Sequence, residues 1–554
     1  MLQVFISHNI RIKGASTPIK AAITRALTYE NPAYTAAKKR GRRVWGLAPK
    51  IELYIYDRGD LVCPRGFEQQ LTEILKKHDL DPEKVIVKNT QVGRKVDFGP
   101  WNESFKVRDY QAPFVESLIK GSGVGIAPAG SGKTIMGMRT IFEHGRSTLW
   151  LTHTKDLMYQ TAKKAELTLK GVGRIGFFGD GKQDWGDGKL IIATVQTLGA
   201  NPHLVDALNE FIGMVIIDEA HHFPAVQFIE TVGKFKADKL IGVTATPERK
   251  DGLHFYLYQG VGPELHRVDR STLYTHGELI KPTVRFVFTD FDYETASIRN
   301  DRNSVDAGGE DLDYTDLIRH LIEDEERLEL VAKSILNNAK GNYSIVITES
   351  VRYCYKLKEK IEELTGSAEC PSMAVVHGGI SRYKWVTKRP PEHLILEEKT
   401  TKSGIRYKVE AYSAAEFDNW QVSSKERKAI LEACGKKEID ILFATQLARE
   451  GLDMPHLTVG HMVMPKRGDK RGDASGSAVE QEIGRIMRPD PSNSNKKATW
   501  FDYVDYNVGV FKDQYYSRRR VYTRLNLQLP KKPKTEKQMI EDFLGSSQIF
   551  DLPI

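Results

Sequence analysis

The sequence has little cysteine, 4 in 554 residues, at Cys63, Cys354, Cys370 and Cys434. No two stand in CxxC spacing, which argues against a zinc ribbon and a disulfide framework and fits a reducing compartment. No run of about 18 apolar residues occurs, so no membrane span is expected. The opening residues MLQVFISHNIRIKG lack an uninterrupted apolar stretch before a small-residue cleavage site, so secretion is not expected. No repeat of fixed period is present, which removes solenoids and propellers. Acids are almost missing from the start of the chain: residues 1–49 hold Glu30 alone against nine lysines and arginines.

What is present is globular. The hydrophobic fraction is 40% and the charged fraction 28%, enough apolar material for sizeable cores. At roughly 150 residues per domain the length predicts three or four units. The net charge is +8, and its placement matters more than its size. Besides the basic first 49 residues, a second basic stretch runs from Lys512 to Lys537. Polyanion contact through counterion release is the natural reading, with a solvated surface or a localisation signal as the alternative.

The pattern divides the chain. Residues 1–100 read as a small α+β accessory module: LQVFISH and KIELYIYD as strands, PIKAAITRAL and GFEQQLTEILKKHD as helices. From about Phe105 short apolar strands alternate with amphipathic helices (GVGIAPA, STLWLTH, KLIIATVQT, MVIIDEA, KLIGVTAT), the signature of a parallel sheet, over 105–268. A connector with an acidic, turn-rich loop follows over 269–325. A second βα series (YSIVITES, MAVVHGG, IDILFAT, TVGHMVMP, ATWFDYVD) fills 326–510, and 511–554 is a basic tail. The second lobe is interrupted at 382–422, where HLILEEKT–TKSG–IRYKVEAY predicts a hairpin turning at Ser403-Gly404. The expected fold class is α/β: two tandem parallel-sheet lobes, a small α+β N-terminal domain and an insertion in the second lobe.

Three segments carry chemistry. APAGSGKT, Ala127 to Thr134, follows a strand and opens a helix, the context of a phosphate loop. Gly130 and Gly132 let backbone N–H groups approach phosphate oxygens, with Ala129 and Ser131 between and before them. Lys133 brings a point charge and Thr134 a hydroxyl for Mg²⁺. The strict pattern has Gly where Ala127 stands. Some 85 residues beyond Lys133, Asp218-Glu219-Ala220-His221 ends a strand. Asp218 suits Mg²⁺, and Glu219 suits polarisation of an attacking water. In QEIGRIMRP, Arg485 and Arg488 are three apart and share one face of a helix, an arrangement suited to a phosphoryl-transfer transition state. A salt-bridged surface face is the alternative.

With these residues in place the chain resembles superfamily 2 helicases of the DEAD/DEAH type. Ten motifs stand in family order: FKVRDYQ (Phe105–Gln111), APAGSGKT, LTHTKDLMYQ (Leu151–Gln160), ATVQTL (Ala193–Leu198), DEAH, TATP (Thr244–Pro247), SIVITES (Ser344–Ser350), VVHGG (Val375–Gly379), ATQLAREGLDMP (Ala444–Pro455) and QEIGRIMRP. Within the superfamily, TATPERKDG…GPELHRV is similar to the XPB-like and phage UvsW-like DNA helicase group, of bacteria or phages. The resemblance implies two RecA-like lobes, ATP and Mg²⁺ as cofactors, and a site completed on lobe closure. It implies that Gln111 reads adenine and that Lys133, Glu219, Arg485 and Arg488 are catalytic. Asp218 and Thr134 are implied in metal binding. Thr244 and Thr246 are implied in coupling hydrolysis to motion, and Glu450, Gly451 and Asp453 in coupling closure to ATP. His153, Thr197 and Thr348 lie in segments that contact the tracked strand. Arg249 opens the triplet Arg249-Lys250-Asp251, where XPB proteins carry Arg-Glu-Asp, so a strand-separating role of that triplet departs from the pattern.

The resemblance implies an ATP-dependent helicase or branch-migrating translocase acting on single-stranded, forked or branched DNA in the cytoplasm of a bacterial or phage-infected cell, with any protein partner unnamed. Four alternatives stand beside it: a duplex DNA translocase, the motor subunit of a nuclease or defence complex, an RNA helicase, and a non-enzymatic scaffold. The 382–422 insertion is a duplex wedge or a decoration. The run YYSRRRVYTR (Tyr515–Arg524) either stacks bases or closes the second lobe with its tyrosines inward.

Overall fold

The structure is a computed structural model that describes residues 2–39, 41, 43–220, 230–245, 247, 251–292, 314–378, 383–385, 395–400, 406–411, 420, 422–445, 454–468 and 478–530. The chain divides into two units, Met1–Thr275 and His276–Ile554.

The first unit opens with a five-stranded sheet in the order Ile55–Asp57, Asp60–Pro64, Asn9–Lys13, Gln3–Ile6, Ile86–Lys88. Buried Val4 and Ile6 alternate with the less buried Gln3 and Phe5, and buried Ile10 and Ile12 flank Arg11, which puts one face inward. Helices Thr17–Ala26 and Glu68–Lys77 cover that face with Ile19 and Ile23, Leu71 and Leu75, each pair four residues apart. This module is seated on the rest of its unit. Arg65 is buried and donates to the carbonyl oxygens of Ala237 and Asp238. Tyr29 stacks on Phe255 at 4.1 Å between ring centroids. Residues 89–99 run along the unit, with Gln91 N on Lys236 O at 2.6 Å and Arg94 N on Phe211 O at 3.0 Å.

The larger sheet of this unit has eight strands: Lys182–Asp184, Gly176–Gly179, Leu190–Thr194, Thr148–Thr152, Met214–Asp218, Lys239–Thr244, Gly123–Ile126 and Glu264–Arg267. All neighbours are parallel except the first pair. Its inner strands are wholly buried, as a sheet covered on both faces requires. Helix Lys133–His144 lies close on Trp150 because Gly137 has no side chain; a Cβ there would stand 2.6 Å from the indole. The C-terminal ends of these strands share one edge, where ligands of open parallel sheets bind.

The second unit holds a six-stranded parallel sheet, Thr283–Thr289, Thr499–Asp505, Val459–Met462, Ser344–Ile347, Ile441–Ala444, Met373–Val376. Two expected boundaries change here. The connector over 269–325 is not a linker throughout: Thr283–Thr289 pairs along its whole length with Thr499–Asp505, and helix Tyr314–Glu323 packs Leu317 and Leu321 against Phe511. Its acidic loop, 293–313, lies outside the described residues. The basic tail over 511–554 begins as helix Gly509–Arg524, packed on the sheet by buried Tyr515, Val521 and Tyr522. Between base stacking and lobe closure, YYSRRRVYTR takes the second, because Tyr515, Tyr522 and Arg518 are buried and Tyr516 is half-buried. In the insertion, Ile395–Thr400 pairs antiparallel with Arg406–Ala411, and Tyr383–Trp385 adds a third strand. The expected turn at Ser403-Gly404 lies outside the described residues. No helix among the described residues is long and apolar enough to cross a membrane.

Two buried ion pairs tie this unit together. Arg327 Nε donates to Asp505 Oδ1 at 2.6 Å, and its other nitrogens reach Tyr353 OH at 2.5 Å and Val463 O at 2.8 Å. Arg518 grips Asp502 at 2.8–2.9 Å, and Tyr522 OH donates to the same carboxylate at 2.8 Å. Breaking a buried pair from one side leaves an uncompensated charge, so Arg327→Leu is expected to lose about 3–5 kcal/mol of stability. Adding Asp505→Leu should recover much of it. Urea unfolding of the two variants checks this; a loss near zero for Arg327→Leu counts against the pair as the tie.

Candidate functional site

Strand Gly123–Ile126 delivers the phosphate loop to the C-terminal edge of the eight-stranded sheet. Ala127 N donates to Thr244 O at 2.9 Å, which fixes the start of the loop on the neighbouring strand. Gly130 and Gly132 then take φ of 86° and 83°, a left-handed turn that L side chains resist. At Gly132 glycine is required twice over, since a Cβ would also stand 2.7 Å from Gln111 Nε2. The helix begins at Lys133, with Ala129 and Thr134 half-buried beside the turn. Ser131 Oγ is buried with no hydrogen-bond partner among the described residues. A glycine-turned loop at the N-terminus of a twelve-residue helix, with a lysine at its mouth, fits a polyphosphate.

Gln111 braces this loop. Its Nε2 donates to Ser131 O at 2.8 Å, while its Oε1 accepts from Arg108 N at 3.0 Å. Tyr110 OH also donates to Ser131 O, at 3.1 Å. Tyr110 was not singled out from the sequence; its place inside FKVRDYQ was the available signal.

Asp218 ends strand Met214–Asp218, beside the strand that carries Thr244. It is buried, and its Oδ1 accepts from Glu219 N at 3.0 Å. Glu219 itself sits at φ 46°, a left-handed conformation that costs a non-glycine residue of order 1 kcal/mol or more. Lys133 Nζ lies 3.4 Å from Glu219 Oε1 and donates to Ala127 O at 3.3 Å. Burial, then the neighbouring Glu219 charge, push the Asp218 carboxyl up from 3.8 to about 7, against the opposing pull of Lys133 and His153. The donors fit Mg²⁺: a hydroxyl from Thr134 and a carboxylate from Asp218, both oxygen ligands.

The structure therefore brings Gln111, Ala129, Gly130, Ser131, Gly132, Lys133, Thr134, Asp218, Glu219 and Thr244 to one edge. His153 and Thr197 follow neighbouring strands of that sheet, with Gln196 Nε2 donating to His153 O at 3.1 Å. Thr197 Oγ1 is 2.8 Å from Thr194 Oγ1. Thr348 is in the second unit and is buried; its Oγ1 lies 2.8 Å from Met464 Sδ and accepts from Ser350 N at 3.0 Å. Its hydroxyl is thus engaged inside the unit. Arg249, Thr246, Glu450, Gly451 and Asp453 lie outside the described residues.

Arg485 and Arg488 are placed differently from the expected helix. Helix Ala478–Ile483 ends before them, and both lie in the turns that follow, where Arg485 N bonds Glu482 O at 3.1 Å. A residue that no pattern pointed to holds these turns. Lys496 is buried and donates to Arg488 O and to Pro455 O, both at 2.6 Å. It thereby joins QEIGRIMRP to the end of ATQLAREGLDMP. Desolvation, with the Arg488 charge, lowers its ammonium to about 8 despite Asp490.

Comparison with known proteins matches two family models. "Type III restriction enzyme, res subunit" covers residues 104–249, and "Helicase conserved C-terminal domain" covers residues 388–490. The chain is 24% identical to "DNA 3'-5' translocase XPB2" of Sulfurisphaera tokodaii, over 80% of this chain and 91% of that relative. It is 23% identical to "DNA 3'-5' helicase XPB" of Mycobacterium tuberculosis, over 70% of this chain and 59% of the relative. The crystal structure of T4 UvsW aligns over 99% of this chain and 97% of its own, at 14% identity and a TM-score of 0.37.

Two expectations follow. A carboxyl held above its unfolded value binds a proton in the fold that the unfolded chain has released. Its contribution to stability is therefore full below pH 3.8 and falls as pH rises to about 7. In nucleotide-free protein, Asp218→Asn should raise the melting temperature at pH 8 but not at pH 4. Equal melting temperatures at pH 8 would contradict the strained carboxylate pair. Lys496→Met should cost about 1–3 kcal/mol, since two partly buried carbonyl oxygens lose their donor. Chemical denaturation measures it.

Proposed function

We propose that the chain is a member of the XPB-like group of superfamily 2 helicases and couples ATP hydrolysis to unwinding or branch migration of DNA. The observation that carries this reading is the cluster of Lys133, Asp218 and Glu219 on one sheet edge, within 3.4 Å for Lys133 and Glu219. The relatives' names, DNA helicase and DNA translocase, support DNA as the nucleic acid. The free cysteines Cys63, Cys354, Cys370 and Cys434 suit the cytoplasm of a bacterial or phage-infected cell.

In this reading the N–H groups of residues 130–134 and the Lys133 ammonium bind the phosphates, and Gln111 takes the adenine edge while bracing the loop. Bound Mg²⁺, held by Thr134 and Asp218, would add positive charge where the phosphates crowd. Lys133 pairs with Glu219 when no phosphate is near. As Lys133 turns to the phosphates, Glu219 is released to accept a proton from the attacking water. Arg485 and Arg488 are assigned to the charge that develops on the transferred phosphoryl group, a role worth about 10³–10⁵ in rate. Gly451 and Asp453 couple that step to the second unit, and Thr244 couples it to the first. His153, Thr197, Thr348 and Arg249 belong to the nucleic-acid path as segments; for Thr348 the backbone rather than the engaged hydroxyl is the contact. Single-stranded, forked or branched DNA is the proposed substrate.

Steady-state ATPase of the wild type and of Lys133→Ala tests the reading, without nucleic acid and with single strands, duplex, a four-way junction and matched RNA. Stimulation by branched DNA is expected, with Lys133→Ala slower by about 10²–10³, the usual loss of one donor to a developing anion. Stimulation by RNA alone would overturn the substrate. Equal stimulation by plain duplex would replace unwinding with duplex translocation.

A further inference from the structure

Among the described large hydrophobic residues, Trp45 is the most exposed, at 96% against 63% for the next, Ile55. Its setting is ordered by hydrogen bonds. Strands Thr28–Glu30 and Lys50–Glu52 pair antiparallel, and the chain between them makes an excursion. Asn31 closes its neck: the backbone N donates to Pro49 O at 3.0 Å and the side-chain Nδ2 to Ala48 O at 2.7 Å. The same side chain accepts from Ala33 N at 3.0 Å, which starts helix Pro32–Lys39. At the far end Leu47 N donates to Val44 O at 3.0 Å. Trp45 and Gly46 are the two central residues of that turn. Gly46 at φ 80° supplies the left-handed third position of a type II turn, and no atom lies within 4 Å of where its Cβ would be. The indole is thus presented at an open tip.

The excursion itself carries one sign of charge, and acids return only at its neck, where Glu30 stands opposite Lys50. Lys38, Lys39, Arg43 and Lys50 are exposed, and none makes an ion pair among the described residues. No acid occurs from residue 31 to residue 50. An isolated aromatic face among cations is the chemistry of single-stranded nucleic acid, where bases stack and phosphates are neutralised. A protein or membrane dock asks for a contiguous apolar face. Helix Pro32–Lys39, PAYTAAKK, offers none, and Leu47 is only 37% exposed.

The base of the excursion rests on the same unit that carries Lys133. Tyr29 stacks on Phe255, and Gly252 faces Pro32, with a Cβ there 3.1 Å from the proline ring. Phe255 and Gly252 follow TATP by a few residues, so the tip is anchored to the segment assigned to coupling. We propose that the Val44–Leu47 turn is a base-stacking finger, in which Trp45 stacks on an unpaired base beside a duplex while Lys38, Lys39, Arg43 and Lys50 hold the adjoining phosphates. This rests on the DNA-motor reading above.

The test uses the full chain and its Trp45→Ala and Trp45→Phe variants. Fluorescence anisotropy measures Kd for a labelled fork and for a blunt duplex, beside the DNA-stimulated ATPase of the wild type. Trp45→Ala is expected to weaken fork binding roughly tenfold or more, the scale of one lost base stack, and duplex binding less than about twofold. Trp45→Phe should keep most of the fork affinity. Equal fork affinity of Trp45→Ala and wild type overturns the finger, even where DNA stimulates the wild-type ATPase. A wild type that no DNA stimulates overturns the motor reading, while the fork Kd still judges the finger. Loss of binding to phosphatidylserine vesicles, with fork binding intact, would assign the tip to a membrane surface and overturn the proposal.

Discussion

Two carboxylates adjacent in the chain, one of them buried, cannot both stay charged without a cation close by. Asp218 and Glu219 are in that position, and Lys133 is the cation, 3.4 Å from Glu219. Everything at this edge of the sheet serves the arrangement. The parallel register puts Asp218 beside Val243 and so beside the strand that ends in Thr244, whose carbonyl oxygen pins Ala127 at the start of the loop. Two left-handed glycines then turn Lys133 back toward the acids. The strain at Glu219 is held by its surroundings, as backbone strain at reactive sites commonly is. The Lys133–Glu219 contact, at 3.4 Å, leaves neither the lysine nor the acid alone at this edge.

The second unit meets a similar problem differently. Asp502 and Asp505 lie on the strand next to the sheet edge, both buried, and each has its own arginine from another element. The pairs cost desolvation and return position: Arg327 ties its helix to the strand and to Val463, and Arg518 ties helix Gly509–Arg524 to the strand and to Lys466 O. The turns bearing Arg485 and Arg488 rest on the same unit through Lys496, whose burial is tolerated because two carbonyl oxygens receive its protons. A lysine is suited to this, since three donors on a flexible stem can meet carbonyls that do not lie in one plane.

The N-terminal module is joined to the first unit by contacts that leave little play. Arg65 spends its guanidinium on carbonyl oxygens rather than a carboxylate, and Gly66 is pressed against the backbone of Tyr258 and Gln259. Residues on both sides of TATP therefore carry the module, and with it the basic excursion that has Trp45 at its tip. Charge and motor are linked through packing rather than through a tether.

Much of this was legible in the residues. Alternation of buried strands with amphipathic helices announced both parallel sheets, because the period of a covered strand is visible as a short apolar run. The phosphate loop and the DEAH acids were legible because their chemistry depends on neighbours in sequence: glycines, lysine and hydroxyl in one turn, two acids at one strand end. Other features depend on partners far apart in the chain. The place of Thr283–Thr289 in the second sheet is set by pairing with residues over 200 positions away. The burial of Tyr515 and Tyr522 in YYSRRRVYTR and the buried clamp of Lys496 are decided by what packs over them. Local sequence determined the turn of the candidate phosphate loop, since such a turn needs only a short contiguous run of glycines and lysine; tertiary structure decided which cations stay at the surface and which are spent inside, since burial and pairing are properties of the whole fold.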